Sequence, residues 1–383
     1  MRALAPALFS LLVPMLAACS SNPEIDAGAS PRGAQLKASA QSRTHAGLRS
    51  AILTSGHGDY TDYPATTRLI DKLVREEGFD RDYLARVFAG VERQQWILDF
   101  VNRPRGGKSS GPTGAWSRYR AKFLTQDNIS NGVAFWRRHE SALRRAQAEY
   151  GVPPEYIVAI LGVETHYGGY TGKHRVIDAL ATLAFDYPRR SDYFTGELEQ
   201  FLIMSRDEGL DPFQPKGSYA GAMGLGQFMP TSFHKWAVDF DSNGKRDLWD
   251  PEDAIGSVAN YFASFGWHKG EPVAVLARST GSGAGAMKTG FDTSYSLDTL
   301  GRNGVLTTAD LDGHGPVSLI ELDARGGYEY WLGLKNFYVI TRYNHSNYYA
   351  MAVHQLAQTL RSRYGAARPV LTQADPTGRE SML

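Results

Sequence analysis

Residues 153–169 read PPEYIVAILGVETHYGG, and this stretch predicts the helix around which the rest of the fold is built. Proline suits the first turn of a helix, and Glu155 complements the positive end of the helix dipole there. An apolar run follows and ends in a carboxylate, Glu164. Since positions spaced by three, four and seven residues share one face, Glu164 lies on the apolar face with Ile157 and Ile160.

A carboxyl group on such a face is partly removed from water. Desolvation penalises the charged form and raises the pKa, so a glutamic acid still protonated near neutrality can donate its proton to a leaving glycosidic oxygen. Gly168 and Gly169 are expected to break the helix and to put Glu164 at a helix end beside open space. The alternative from this helix alone is a buried glutamate paired with an arginine.

A glycine-rich segment, GSYAGAMGLGQFMP at 217–230, is the second candidate for a binding site. Its small residues let a ligand approach the backbone closely, and Ser218 and Gln227 can hydrogen-bond sugar groups. The glycine spacing and the lack of a surrounding βαβ pattern argue against a phosphate-binding loop.

Five motifs follow one another along the chain: ILGVET at 160–165, YPRR at 187–190, GAMG at 221–224, GQFMP at 226–230 and TRYNHS at 341–346. Together they resemble the lytic murein transglycosylase B family, over roughly residues 60 to 362. The resemblance implies a mainly helical α+β fold, with a lysozyme-like core, an extra helical domain and a small β-containing insert. It also implies cleavage of the β-1,4 bond between N-acetylmuramic acid and N-acetylglucosamine in peptidoglycan, leaving 1,6-anhydromuramoyl ends.

The catalytic acid of the family corresponds to Glu164. One carboxyl group acts twice, first as acid toward the leaving oxygen and then as base toward the C6 hydroxyl that attacks the anomeric carbon. A two-carboxylate hydrolase would need a partner about 5 to 9.5 Å away. The nearest downstream acids, Asp178 and Asp186, lie in no motif that suggests this role.

The resemblance also implies the side chains that bind the saccharide. These substrate-binding residues are Ser218, Gln227, Phe228, Tyr261, Tyr343, Asn344 and Tyr349, with Arg189, Arg190 and Tyr193 nearby. The arginines could bind the carboxylates of muramic acid or its peptide, or pair with acids of the protein. For the tyrosines, ordinary core packing is the competing interpretation.

The segment DFDSNGKRD at 239–247 has oxygen donors at positions 1, 3, 5 and 9 and glycine at position 6, which is the first part of an EF-hand calcium loop. Position 12 holds Asp250 where a glutamate is usual. The resembling family has a longer loop, which implies Asp239, Asp241, Asn243, the Lys245 carbonyl and Asp253 as ligands. Calcium would be structural, because a mechanism based on one carboxyl group needs no cofactor.

The N-terminal residues indicate export. A charged start, a short apolar run and the sequence LAAC at 16–19 resemble a lipoprotein signal peptide, in which Cys19 is lipidated. Ser20 fits sorting to the inner leaflet of the outer membrane, facing the periplasm. Cys19 is the single cysteine of the 383 residues, which excludes an internal disulfide.

The composition of the chain limits the classes of partner that it could bind. The net charge is +1 with interspersed signs, which argues against a nucleic-acid-binding surface. Aromatic residues make up 11% of the chain and fit either sugar-stacking walls or an ordinary core. We expect a monomer whose partners are peptidoglycan glycan strands and the outer membrane.

The alternation of helical spacing with glycine- and proline-containing breaks predicts the order of segments. Helices are expected over 65–77, 81–100, 132–150, 153–164 and 348–361, with short strands at 272–276 and 317–322. The expected segments are a signal peptide (1–18), a lipid-anchored flexible tether (19–62), a helical domain (63–151), a lysozyme-like core with the calcium loop (152–268), a small β-containing insert (269–337), a helix returning to the core (338–364) and a disordered tail (365–383).

Three other functions stay open at this point. A muramidase would let water complete the same cleavage. A peptidoglycan-binding protein with an inactive site would not depend on Glu164 for its behaviour. A calcium-regulated adaptor would need a second convincing calcium loop, because sensor EF-hands open as helix pairs.

Overall fold

The computed structural model describes residues 58–104, 112–280 and 283–366. The helices are α1 Pro64–Glu77, α2 Arg81–Ala89, α3 Gln95–Val101, α4 Ala115–Arg120, α5 Gln126–Arg138, α6 Glu140–Tyr150, α7 Pro154–Thr165, α8 Val176–Asp186, α9 Ser191–Asp207, α10 Pro230–Trp236, α11 Pro251–Ser264, α12 Leu297–Arg302, α13 Lys335–Tyr343 and α14 Asn347–Ala366. The strands are β1 His174–Arg175, β2 Lys216–Gly217, β3 Ala274–Ser279, β4 Val305–Leu306, β5 Ser318–Ala324 and β6 Gly327–Gly333.

The predicted central helix is α7. Pro153 is its N-cap residue and Pro154 its first residue, and all its side chains except that of Glu164 are buried. Such burial on every side is typical of a helix inside a core rather than on its surface. Helix α7 packs against α5, α6, α11 and α14, so elements from both ends of the chain surround it.

The long helix predicted over 81–100 is instead two helices, α2 and α3. Between them the backbone N–H of Glu92 donates to Asp178 Oδ1 at 3.0 Å, and that of Gln94 donates to Thr182 Oγ1 at 2.9 Å. These acceptors belong to α8, and they satisfy donors that a continuous helix would have used itself. The prediction was wrong because the competing partners lie almost ninety residues away.

The helix predicted over 132–150 is also divided, into α5 and α6, at His139. The first of the pair begins six residues before the predicted start, where Thr125 caps the helix by accepting the backbone N–H of Asn128 at 3.2 Å. Threonine is a favoured N-cap residue, so this start was readable in the sequence.

The predicted β-containing insert is a four-stranded antiparallel sheet in the order β4-β3-β6-β5. One face packs on the helical core through Ile320 and Leu322, and the other covers a small separate core that includes Leu319 and Leu332. The tight β5–β6 turn pairs Ala324 with Gly327. Strand β6 and helix α13 were not predicted, and the final helix, α14, is longer than 348–361.

Several predicted features lie outside the described residues. They are the signal peptide, Cys19, most of the tether and nearly all of the tail. Among the residues that are described, no helix has the length and apolar character needed to cross a membrane.

Candidate active site

Glu164 lies in the last turn of α7, half-buried, where two successive non-glycine residues end the helix. His166 and Tyr167 have φ angles of 51° and 62°, in the left-handed region that favours glycine. The predicted glycine break is therefore only partly correct, because these two residues turn the chain before Gly168 does. The Tyr167 N–H donates to Leu161 O at 3.0 Å and closes the helix end.

The strained turn is held by its neighbours. Thr165 Oγ1 donates to Leu225 O at 2.8 Å and accepts the Gly168 N–H at 3.0 Å. His166 Nδ1 lies 2.9 Å from Asn128 Oδ1, on the opposite wall. These bonds fix the backbone that immediately follows Glu164.

The Glu164 carboxyl group accepts a hydrogen bond of 2.5 Å from the hydroxyl of Tyr349 to Oε1. Burial raises the pKa of Glu164 from its ordinary value of 4.5 to about 7, and the bond from Tyr349 opposes that rise. No arginine or lysine forms an ion pair with Glu164 within the described ranges, so the alternative of a paired buried glutamate is not supported.

Three tyrosines lie close enough to Glu164 for its charge to affect them. Burial, reinforced by that charge, raises the pKa of Tyr119, Tyr343 and Tyr349. Tyr349 has no exposed surface, so it reaches the site only through its hydroxyl. All three phenols are therefore protonated at neutral pH and act as neutral hydrogen-bonding groups.

Tyr119 is not among the site residues predicted from the sequence. It is on α4, and its ring contacts Phe123 and Tyr348 at centroid distances of 5.2 and 5.9 Å. Trp116, Tyr119 and Phe123 recur at helical spacing, which was a readable signal for one aromatic face. Nothing in that spacing indicated that the face would meet Glu164.

The glycine-rich segment forms a tight loop beside the end of α7. Gln227 has a φ of 52°, and its Nε2 donates to Thr171 O at 3.0 Å and Gly224 O at 2.9 Å. Ser218 Oγ accepts the N–H groups of Ala220 and Ala222 at 3.3 and 3.0 Å. Within the part of the chain that the structure describes, these bonds use neither the Gln227 side-chain carbonyl oxygen nor the Ser218 hydroxyl hydrogen.

Phe228, Tyr261 and Tyr343 form an aromatic cluster behind this loop, with ring centroids 4.8 to 5.9 Å apart. Phe228 is only 3% exposed, so it packs within the wall rather than presenting its ring to the cleft. The Tyr343 hydroxyl donates to Gly226 O at 2.5 Å, and that of Tyr261 to Arg342 O at 2.6 Å. The cluster thus joins the glycine-rich loop to the end of α13, where Asn344 follows in extended conformation.

Arg189 and Arg190 lie on the turn that leads into α9, and Tyr193 lies in the first turn of that helix. The Arg190 guanidinium lies over the Tyr193 ring at 4.2 Å, in a cation–π contact. Arg189 is exposed, and so is Tyr193. The turn therefore presents two cations and an aromatic ring together.

The two acids considered as partners of Glu164 are both engaged elsewhere. Arg175 Nε donates to Asp178 Oδ2 at 2.6 Å. Asp186 Oδ2 accepts from Arg93 Nε at 2.5 Å and from the Tyr60 hydroxyl at 2.8 Å. Both carboxylates are thus paired with arginines, whereas Glu164 has no such partner within the described residues.

The predicted calcium loop brings together Asp239, Asp241 and Asp253, which have carboxylate oxygens within 4.8 Å of one another. Asn243 is held inside this group, because its N–H donates to Asp239 Oδ1 at 3.0 Å. Asp250 instead caps α11 by accepting the Glu252 N–H at 2.7 Å.

Asp253 is fully buried, and its oxygens accept backbone N–H groups from Phe240 at 2.6 Å and Asp247 at 2.7 Å. These bonds fold both ends of the loop around one carboxylate. An all-oxygen set with three carboxylates suits a hard cation such as calcium, so the residues present fit that ion.

Comparison with known proteins gives consistent matches. The family model described as a transglycosylase SLT domain matches residues 62–358. The chain is 52% identical over 307 residues to the membrane-bound lytic murein transglycosylase B of Escherichia coli K12, covering 79% of this chain and 84% of that protein.

Two solved structures of lytic transglycosylases are similar to this chain in sequence and in fold. The E. coli lytic transglycosylase SLT35, in complex with calcium, is 51% identical with a TM-score of 0.76 and covers 81% of this chain and 96% of its own. SltB3 from Pseudomonas aeruginosa, in complex with NAG-NAM-pentapeptide, is 31% identical with a TM-score of 0.67, covering 77% and 79% of the two chains.

Proposed function

The chain belongs to the transglycosylase SLT domain family, and from that membership we propose that Glu164 alone supplies the acid and the base of its reaction. The protein is a lytic transglycosylase that cleaves the β-1,4 bond between N-acetylmuramic acid and N-acetylglucosamine in peptidoglycan and forms 1,6-anhydromuramoyl ends. The observation that carries the proposal is a half-buried carboxyl group with a pKa raised to about 7 and no charged partner in the described chain.

Glu164 alone both donates and recovers the proton that the reaction needs. Protonated Glu164 donates its proton to the oxygen that leaves with N-acetylglucosamine as the C1–O4 bond breaks. The resulting carboxylate then accepts the proton of the muramic acid C6 hydroxyl as the C1–O6 bond forms. Glu164 ends as it began, and no water is consumed. A pKa of about 7 suits both halves near neutral pH.

Tyr349 is proposed to support this exchange by holding Oε1, so that Oε2 is the oxygen that exchanges the proton. The phenol stays neutral because burial raises its pKa, so it donates the same bond whether Glu164 is protonated or not. A fixed donor of this kind keeps the carboxyl group in one orientation through both steps.

The saccharide is proposed to lie along the glycine-rich loop. The Ser218 hydroxyl and the Gln227 carbonyl oxygen are the polar groups left free there. Asn344 and Tyr343 border the loop on the α13 side, while Tyr261, Phe228 and Tyr349 support that wall from behind. Arg189, Arg190 and Tyr193 are proposed to receive the carboxylates of the stem peptide.

A structural calcium ion is proposed in the loop over 239–253. The homologous SLT35 is known in complex with calcium. Asp239, Asp241, Asn243, the Lys245 carbonyl and Asp253 would hold the ion, which would offset the mutual repulsion of the three carboxylates. Because the loop leads into α11, which carries Tyr261, the ion would stabilise one wall of the site.

We further propose that Cys19 is lipidated and anchors the enzyme to the outer membrane from the periplasmic side. The support is the LAAC sequence at 16–19 and the membrane-bound state named for the E. coli relative.

The test of the catalytic proposal is digestion of purified sacculi followed by mass analysis of the muropeptides. Anhydro products are one water lighter than hydrolysed ones and resist borohydride reduction. Glu164→Gln should retain strand binding and lose nearly all turnover, by about 10³-fold or more, because the amide can neither donate nor accept the proton. Reducible products would indicate a muramidase, and undiminished turnover in the variant would refute the single-glutamate mechanism.

A further inference from the structure

Exposed Trp96 and half-buried His174 form an aromatic pair that belongs to no residue set described above. Their ring centroids are 4.5 Å apart, and the planes are inclined by 38°. Trp96 is 38% exposed, whereas Trp116, the other tryptophan in this part of the chain, is fully buried. An indole ring left open to solvent but backed by a second ring is not explained by core packing.

A hydrogen bond from its ring nitrogen fixes the orientation of the indole. Trp96 Nε1 donates to Gln94 Oε1 at 3.2 Å, and the backbone of Gln94 is itself bound to Thr182 Oγ1. A rigid ring of this kind loses little conformational entropy when a ligand packs on it, and it combines a large apolar surface with a polar edge. Pyranose rings present an apolar C–H face that fits such a surface.

The backbone segments that carry the pair are linked to the catalytic site by a row of direct contacts. The turn after Glu164 is bonded to the glycine-rich loop by Thr165, as described above. Gln227 of that loop binds Thr171 O, and a Cβ added at Gly172 would lie 2.0 Å from the carbonyl group of Gly217. The next pairing in this row is His174 with Gly217 on the β1–β2 ladder.

Gly217 opposes His174 and has no side chain, so nothing from that strand covers the imidazole. Two exposed lysines, Lys173 and Lys216, directly precede these residues and form no ion pair within the described ranges. Cations at this position complement the carboxylates of peptides attached to muramic acid.

We propose that Trp96, backed by His174, is a distal saccharide-binding platform that takes an amino sugar of the same peptidoglycan strand, outside the sites next to the scissile bond. The proposal rests on the function assigned above, because the occupant is the strand that Glu164 cleaves. It makes the enzyme select strands long enough to reach from Glu164 to the indole. A short fragment bound at Glu164 would leave the platform empty.

The experiment compares binding and turnover on a ladder of purified glycan oligomers of increasing length. Binding is measured in the Glu164→Gln background, with and without Trp96→Ala, so that turnover does not interfere. For oligomers above a threshold length, Trp96→Ala should weaken binding by about three- to tenfold, and for shorter ones it should have no effect. In the active enzyme, KM should rise by a similar factor for long strands while kcat stays within about twofold.

The matched control is Leu306→Ala, which removes an exposed apolar side chain from the edge strand of the insert. It should change binding at no length. Trp96→Phe keeps a ring and should retain most of the length dependence. If Trp96→Ala lowers the thermal midpoint of unfolding, His174→Ala replaces it as the test. That substitution removes the ring behind the indole but keeps the indole itself.

Equal binding of all lengths with and without the indole would overturn the platform while leaving the catalytic proposal intact. A Glu164→Gln variant that still cleaves strands would overturn the catalytic proposal, and the length dependence of Trp96→Ala could then still be read from KM. The two failures are therefore distinguishable.

Discussion

At Glu164 two opposing influences set the pKa. Burial raises it, and the Tyr349 hydroxyl at 2.5 Å lowers it. The net result, about 7, lies where one group can give up and regain a proton at neutral pH. Both influences can be changed by single substitutions.

Tyr349→Phe removes the bond that favours the carboxylate and should raise the pKa of Glu164 further. Since the reaction starts from the protonated acid, the alkaline limb of the kcat/KM profile should move to higher pH. Loss of orientation should also lower kcat by about ten- to one-hundredfold, because a hydrogen bond to a charged group contributes roughly 1.5 to 3 kcal/mol. Tyr343→Phe is the control, because the Tyr343 hydroxyl donates to Gly226 O and not to Glu164. The alkaline limb of the kcat/KM profile should not move in this variant.

Glu164→Gln should stabilise the protein in a pH-dependent way. The folded state holds the proton up to a pKa of about 7 and the unfolded state only to about 4.5, so the wild-type free energy of unfolding falls as pH rises between these values. The variant does not titrate there and should gain up to about 3 kcal/mol relative to wild type, most of it by pH 7. Urea unfolding of both proteins from pH 4 to 8 measures the difference. A difference that is constant with pH would mean that the pKa is not raised.

At the level of elements, small residues as well as apolar ones determine how α7 packs. Tyr167, in the turn after Glu164, packs its ring between α5 and α7. A Cβ added at Gly132 or Gly162 would lie 2.3 or 2.5 Å from its hydroxyl oxygen. The two glycines thus make room for the side chain that follows the catalytic turn.

Gly162→Ala should therefore destabilise the protein by about 1 to 3 kcal/mol through overpacking, although alanine is the better helix former. Gly196→Ala on α9 is the control, since a Cβ there meets nothing within 4 Å, and it should stabilise by about 0.5 to 1 kcal/mol. Thermal or urea unfolding reports both. Similar effects of the two substitutions would show that Tyr167 adapts to the added methyl group.

The loop before α11 should respond to calcium. Calcium should raise the thermal midpoint of the wild type, and EDTA should reverse the rise, because an ion bound only by the folded state stabilises it. Asp241→Asn removes one carboxylate of the group and should weaken this response by about tenfold or more in calcium concentration. Asp250→Asn is the control, because Asp250 caps α11 and asparagine caps equally well. An undiminished response in Asp241→Asn would exclude the proposed site.

In the whole molecule, the active site is assembled from parts far apart in the chain. Glu164 is on α7, Tyr349 on α14 and Tyr119 on α4. The segment leading into α4 is held by the insert, where Asp323 of β5 accepts from Thr113 Oγ1 at 2.6 Å and the Gly114 N–H at 2.7 Å. The insert therefore supports a wall of the site as well as its own small core.

The cellular position of the enzyme is proposed to depend on the N-terminal cysteine. Cys19→Ser should move the protein from the membrane to the soluble periplasmic fraction without changing its products. Ser20→Asp should leave it lipidated but retain it in the inner membrane, which separates sorting from anchoring. Fractionation with immunodetection reports both, and a Cys19→Ser protein that stays in the outer membrane would refute the anchor.

The sequence by itself determined the central helix, and it indicated the proposed catalytic acid and the proposed oxygen ligands of the loop. These features depend on local rules: proline at a helix start, apolar spacing along one face, and alternating oxygen donors closed by glycine. The motifs around Glu164 and in the glycine-rich loop were also enough to indicate the family. Local spacing could not place the breaks at Gly90–Gln94 and His139, because the first is set by acceptors on α8.

Only the tertiary structure decided what surrounds Glu164. Tyr349 lies 185 residues further along the chain, and Tyr119 is on a helix whose spacing indicated only an aromatic face. The roles of Phe228 and Tyr349 as buried supports, and the exposed position of Trp96 beside His174, likewise follow from packing. The physical reason is that a pKa, a buried hydroxyl and a cleft depend on distances between segments, and no local pattern contains those distances.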